Sequence, residues 1–157
     1  MKLSKNHLYI IVGVVILTIV WYMNKSSQVD ISKLTDNWIE AVTVRNDPEE
    51  IYKLFCTDGN LVGTVSQKKR TGADIKKYFD YFAKLPGIQV VDKKYTISEV
   101  TPDVHLNTAF ITWKWDGLTK PITARMTFLY RNNCIFQLHS SALPELNESL
   151  LETSNMA

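Results

Sequence analysis

The chain has 157 residues, 45% of them hydrophobic and 22% charged, with a formal net charge of +2. That length suits one ordinary domain, and those proportions exclude global disorder, a collagen-like fibre and a repeat array. The positive excess sits at one end: residues 1–29 hold Lys2, Lys5 and Lys25 and no acid, which leaves the rest at −1 and without the electrostatic footprint of a nucleic-acid binder.

Leu8 to Met23 is a run of sixteen residues without a charge. As a helix it would span about 24 Å, slightly short of a ~30 Å hydrocarbon core. Trp21 and Tyr22 suit the interface, and Lys5 and Lys25 can snorkel to cover the remaining length. Small residues for signal-peptide cleavage do not follow the run, and it lacks the polar face of a buried core helix. An uncleaved signal anchor over residues 1–24 fits best, in contact with a lipid bilayer through residues 8–23. Two lysines before the run and one after it place the N-terminus in the cytoplasm and the domain across the membrane. A short linker occupies residues 25–30.

From Ile31 the apolar period becomes helical. Ile31, Leu34, Trp38, Ile39, Val42 and Val44 recur near 3.6 spacing, with Asp30 or Ser32 as N-cap. Asn46-Asp47-Pro48 ends this helix and starts a second, with Ile51, Tyr52, Leu54 and Phe55 on its apolar face. Asp58-Gly59-Asn60 signals a turn, Leu61–Val65 a short strand, and residues 66–70 a loop in which Lys68-Lys69-Arg70 is solvated, with an anionic contact as the alternative. Gly72-Ala73-Asp74 opens a third helix carrying Ile75, Tyr78, Phe79, Phe82 and Leu85, and Pro86-Gly87 stops it.

Beyond Pro86 the period moves towards 2. Strands are expected at Ile88–Val100, His105–Trp115, Ile122–Arg131 and Cys134–Ser141, with Asn132-Asn133 suited to a tight hairpin. Three helices followed by a long meander predict an α+β domain over residues 31–145, with a curved antiparallel sheet able to enclose a cavity. Residues 146–157 form a tail of weak helical character. The apolar flanks of Cys56 and Cys134 favour two buried free thiols, with a disulfide as the alternative for an exported domain. No metal-binding spacing is present and nothing implies a cofactor.

The segments Ile51–Phe55, Thr64–Ser66, Arg70–Gly72 and Ile75–Phe79, then Ala124–Tyr130 and His139–Glu145, carry a resemblance. They resemble the cone-shaped nuclear-transport-factor-two fold, and within it SnoaL-like proteins and the association (hub) domain of calcium/calmodulin-dependent kinase type two. Ala124–Tyr130 looks like that family's ARxTFxY strand, and His139–Glu145 like its closing HSSxxPE strand end. Arg131-Asn132-Asn133-Cys134 replaces the family's longer turn, and no kinase domain is present.

The resemblance implies a pocket in which an arginine takes a carboxylate. Arg125 would present its fork to a small anionic ligand, His139 would add a hydrogen bond, and Trp113, Tyr52 and Phe79 would supply apolar walls. A two-residue hairpin loop sets Arg125 opposite Ser140 and turns His139 to the other face. A longer loop or bulge sets it opposite Gln137, on the side of His139. Alternatively, Arg125 is salt-bridged within the fold or across a dimer interface, and His139 is a satisfied core histidine. Trp113 and Trp115 share a face that is either a dimer interface or a sheet-to-helix core, and a base role for Asp58 is weakly supported.

No convincing acid–base pair is visible. The expected function is therefore a membrane-anchored, hub-like oligomerisation or small-ligand-binding domain, a homodimer or larger homo-oligomer. The rival is a SnoaL-like isomerase or cyclase acting on a polyketide- or steroid-like substrate. A third reading is a structural or secretion-related domain that fills its own pocket.

Overall fold

Apolar spacing starts the first helix where the sequence places it. In the computed structural model, which describes residues 14–15, 30–64 and 68–143, α1 spans Ile31–Glu40 and buries Ile31, Thr35, Trp38 and Ile39. The chain then widens into a π turn over Ala41–Arg45, where the Thr43 hydroxyl donates to the Ile39 carbonyl at 2.9 Å. This rewinding turns Val44, expected on the buried stripe, out to solvent.

Asn46 ends the turn in the left-handed region (φ 49°). Its amide donates to the Val42 and Ala83 carbonyls, tying α1 to the end of the third helix. Asp47 caps α2 (Pro48–Lys53) by accepting from the Glu49 amide at 2.9 Å, with Pro48 in the first turn. The helix is shorter than its apolar face suggests: Leu54 caps it and Phe55 is already in a strand.

That strand, β1 (Phe55–Val62), runs through Asp58-Gly59-Asn60, expected as a turn. The turn chemistry is used inside the strand, where the register shifts between Phe55 and Asn60. Gly59 is required there, because a Cβ would lie 2.8 Å from the Cys56 and Ile135 carbonyl oxygens. Lys69–Thr71, whose first two residues were expected within a loop, forms the edge strand β2. Then come α3 (Ala73–Phe82), β3 (Gln89–Thr101), β4 (Val104–Lys114), β5 (Ile122–Arg131) and β6 (Cys134–Ala142).

The six strands form one curved sheet in the order β2-β1-β6-β5-β4-β3. All pairs are antiparallel except β1–β6, which is parallel, so the sheet is mixed and not purely antiparallel as expected. Asn132 and Asn133 both take positive φ and make the tight hairpin. Along β4 and β5 burial alternates, and the inward residues meet the helices. Trp38 lies at the centre of this core, edge-on to Phe79, Trp113 and Phe128 with ring centres 5.1–6.1 Å apart.

The two cysteines are not free thiols. Cys56 and Cys134 form a disulfide, with Cα atoms 5.0 Å apart. The parallel pairing of Phe55 with Ile135 places them side by side across 78 positions of sequence, a proximity no local pattern announces.

Met1–Asp30 and Ile31–Ala157 are two separate units, and of the first only Val14, Val15 and Asp30 are described. The apolar run at residues 8–23 and the tail at 146–157 otherwise lie outside the described residues. Among the described residues no helix is long and apolar enough to cross a membrane.

Candidate functional site

Large rings on α3 and small side chains on the facing strands leave space between helix and sheet. The cavity holds about 300 Å³, at the lower end of small-molecule pockets. From α3 come Tyr78, Phe79, Tyr81 and Phe82, with Leu85 just beyond. On β4 Trp113, followed two residues later by Trp115, points inward, and Trp38 of α1 closes the deep side. The facing positions Ala124, Ser140 and Ala142 are small, and their missing volume is the cavity.

The rings brace one another. Phe82 meets Trp113 edge-on at 5.3 Å and stacks on Tyr78 at 6.0 Å. Gly63 lets Tyr78 lie against β1, because a Cβ there would come within 2.7 Å of the phenol ring. The Arg70 guanidinium stands 5.0 Å over the outer side of that ring.

One corner of the wall is polar. The Thr64 and Ser140 hydroxyls are hydrogen-bonded at 2.6 Å, and Thr64 also bonds the Tyr78 oxygen. Burial pushes the Tyr78 phenol above its ordinary value, against the opposing pull of the Arg70 charge and the Thr64 bonds, so it is neutral at physiological pH. Trp38 Nε1 is buried without a hydrogen-bond partner among the described residues. Among the described lining residues none is a carboxylate, histidine, lysine or arginine. No group of His, Cys, Asp or Glu among the described residues is placed to hold a metal.

The residues singled out from sequence are divided by the sheet. Trp113 and Phe79 stand in the cavity wall, while Tyr52, half-buried on α2, does not reach it. Arg125 and His139 lie on the opposite, outer face, both exposed. The two-residue loop pairs Arg131 with Cys134, and a bulge between Leu129 and Tyr130 then sets Arg125 opposite Ser141 and Thr127 opposite His139. Neither Ser140 nor Gln137 faces Arg125. The bulge brings Arg125 and His139 to one face, as the resemblance favoured, but the buried inner positions belong to Ala124, Met126 and Ser140. Among the described residues Arg125 has no salt-bridge partner, and its guanidinium lies over the Phe110 ring at 5.5 Å. Asp58 is exposed and bound to Arg131, away from the cavity.

Sequence reading missed Tyr78, Tyr81, Trp115, Thr64 and Ser140 as wall residues. The available signal was size: Ala124, Ser140 and Ala142 fall at inward strand positions where large apolar residues normally fill a core.

No family model and no curated protein matches the chain. Solved structures do. A chain from Xanthomonas campestris, named for a calcium/calmodulin dependent protein kinase II association domain, is 27% identical, with 74% of this chain and 87% of that one covered and a TM-score of 0.63. A protein of the NTF2-like family from Streptomyces avermitilis, named for a dehydratase, is 16% identical over 72% of this chain and 93% of that one, with a TM-score of 0.63. The Orange Carotenoid Protein of Anabaena, solved with canthaxanthin, is 19% identical over 76% of this chain and 38% of that one, again at 0.63. The fold built on the six-stranded curved sheet is therefore NTF2-like.

Proposed function

We propose that this chain is a binding module whose cavity holds a small, uncharged, flat and largely apolar ligand carrying one hydrogen-bonding group. One observation carries the reading: a cavity of about 300 Å³ walled, among the described residues, by seven aromatic side chains, with a polar corner at Thr64, Ser140 and Tyr78. Rings offer broad contact at low entropy cost, and the hydroxyls fix orientation. An anionic group would enter this wall without a cation among the described lining residues to meet it, so burial disfavours the anionic ligand expected from Arg125.

The proposal keeps the N-terminal anchor at residues 8–23 and a homodimer or larger homo-oligomer. The Cys56–Cys134 disulfide supports an oxidising compartment for the domain, on the far side of the membrane from a cytoplasmic N-terminus. The likeness to a chain named for an association domain supports assembly.

The test uses the full chain in a nonionic detergent and N-phenyl-naphthylamine, a neutral aromatic probe. Trp38, Trp113 and Trp115 stand in the wall, so binding should quench their emission as probe fluorescence rises. Ala142→Trp, at the exposed end of β6, should weaken binding by at least about tenfold, roughly 1.4 kcal/mol, with the melting temperature held. An unchanged affinity in that variant would remove the cavity from the proposal. Turnover of a polyketide- or steroid-like compound, lost in the same variant, would replace it with the enzyme reading.

A further inference from the structure

Register sorts the cations of the sheet into two sets. Lys93 points inward and is paired with Asp36, whereas its neighbour Lys94 points outward. Lys94, Phe110, Arg125 and Ser141 form one cross-strand row, and Thr96, Thr108, Thr127 and His139 the next. Parallel pairing extends the second row through Val62 to Lys69 on β2. Three cations, Lys94, Arg125 and Lys69, thus cross the outer face from one edge of the sheet to the other, with the His139 imidazole between the last two, and all four side chains are exposed.

None of these four forms a salt bridge among the described residues, although Arg45, Lys68, Lys76, Lys93 and Arg131 all do. Among the described residues, the acids reaching this side are Asp92, at one edge, and Asp58, which Arg131 holds. Between the cations lie threonine hydroxyls, and Thr112 and Thr123 bond each other at 2.9 Å. Stacking on Phe110 steadies the Arg125 guanidinium and leaves its edge open to a carboxylate fork.

We infer that the outer face of the sheet docks an extended acidic segment of a partner protein, laid across the strands over Lys94, Arg125 and His139. Charge complementarity selects this occupant. Two copies packed through this face would oppose cation to cation, which costs affinity. The near-neutral domain lacks the broad field that nucleic acid requires. The scale fits too. Arg125 and His139 are diagonal neighbours, about 7–8 Å apart at their backbones, and alternate residues of an extended segment are separated by about 7 Å. This inference is independent of the cavity, which opens on the other face.

The probe is a fluorescein-labelled ten-residue peptide alternating glutamate with serine. Controls are its glutamine counterpart and an oligothymidylate, all added to the full chain in nonionic detergent at low salt. The acidic peptide should bind and the glutamine peptide should not. Arg125→Glu should weaken binding by at least about tenfold, Lys94→Gln by less, and Lys53→Gln, on exposed α2, not at all. Naphthylamine binding in Arg125→Glu should match the parent, which shows the variant folded. Equal binding of the glutamine peptide, or an unchanged affinity in Arg125→Glu, overturns the inference. So does tighter binding of oligothymidylate, which makes the partner a nucleic acid. Dissociation of an oligomer by Arg125→Glu also overturns it, because the face then joins copies of this chain.

Discussion

Under α1 the inner face of the sheet is packed around a polar knot, whereas under α3 the same strands leave room for a ligand. At the packed end Thr35 donates to the Ile31 carbonyl, meets the Tyr130 hydroxyl at 2.9 Å and accepts from Asn107 Nδ2 at 2.7 Å. Tyr130, stacked on Phe128, fills the space beside them. At the open end the corresponding strand positions are Ala124, Ser140 and Ala142. One sheet thus carries a rigid half and a receptive half. The difference is made by side-chain volume at inward positions.

The largest expected effect tests the rigid half. Cys56 and Cys134 fasten the start of β1 to the start of β6, at the end of both strands away from the cavity. Replacing both with serine should lower stability by about 2–5 kcal/mol, because the reduced unfolded chain regains the freedom of a long loop. Urea denaturation of the variant beside the parent measures it. Naphthylamine affinity in the still-folded fraction should be unchanged. A change there would mean that the two halves are not independent.

Next in size is the polar knot. Asn107 is fully buried, and its Oδ1 has no partner among the described residues. Asn107→Asp would place a charge there without a cation and should cost about 3 kcal/mol or more at neutral pH. Tyr130→Phe removes only the bond to Thr35 and should cost about 1 kcal/mol. Thermal melts of both give the ratio. Equal losses would mean that the knot acts through packing rather than polarity.

Legibility in the sequence follows the same division. The helices and the meander were readable because their apolar spacing is local: β5 begins and ends where Ile122–Arg131 was expected. What escaped was non-local. The parallel return of β6 beside β1 makes the disulfide and lengthens β1 through an apparent turn. At the site, Trp113 and Phe79 were readable as apolar inward residues, but the sides of Arg125 and His139 depended on one bulge near Leu129. An arginine in an apolar strand looks buried by composition, whereas alternation puts it in water. The cavity was hardest to read, because small residues on two strands, β5 and β6, become a void only once they face the rings of α3.

The smallest effect separates the halves by charge. Asp36, on α1, accepts from Lys93 and Tyr95 of edge strand β3. Burial, the largest influence on it, pulls its carboxyl upward, but the bonds from Lys93 and Tyr95 and the Lys93 charge together outweigh this and hold it below the ordinary 3.8. A carboxyl lowered by folding stabilises the fold above its unfolded value, and that contribution fades as pH falls through the lower, folded value. Asp36→Asn should therefore cost up to about 1 kcal/mol at neutral pH, a modest figure because the pair is half-exposed, and nothing once both forms are titrated. The cavity wall described here holds no group that titrates in this range, so naphthylamine affinity should stay level across the same interval while the fold persists. A parallel acid loss of affinity in the parent, absent from Asp36→Asn, would mean that the fastening of β3 to α1 reaches the cavity through Trp38, which both halves share.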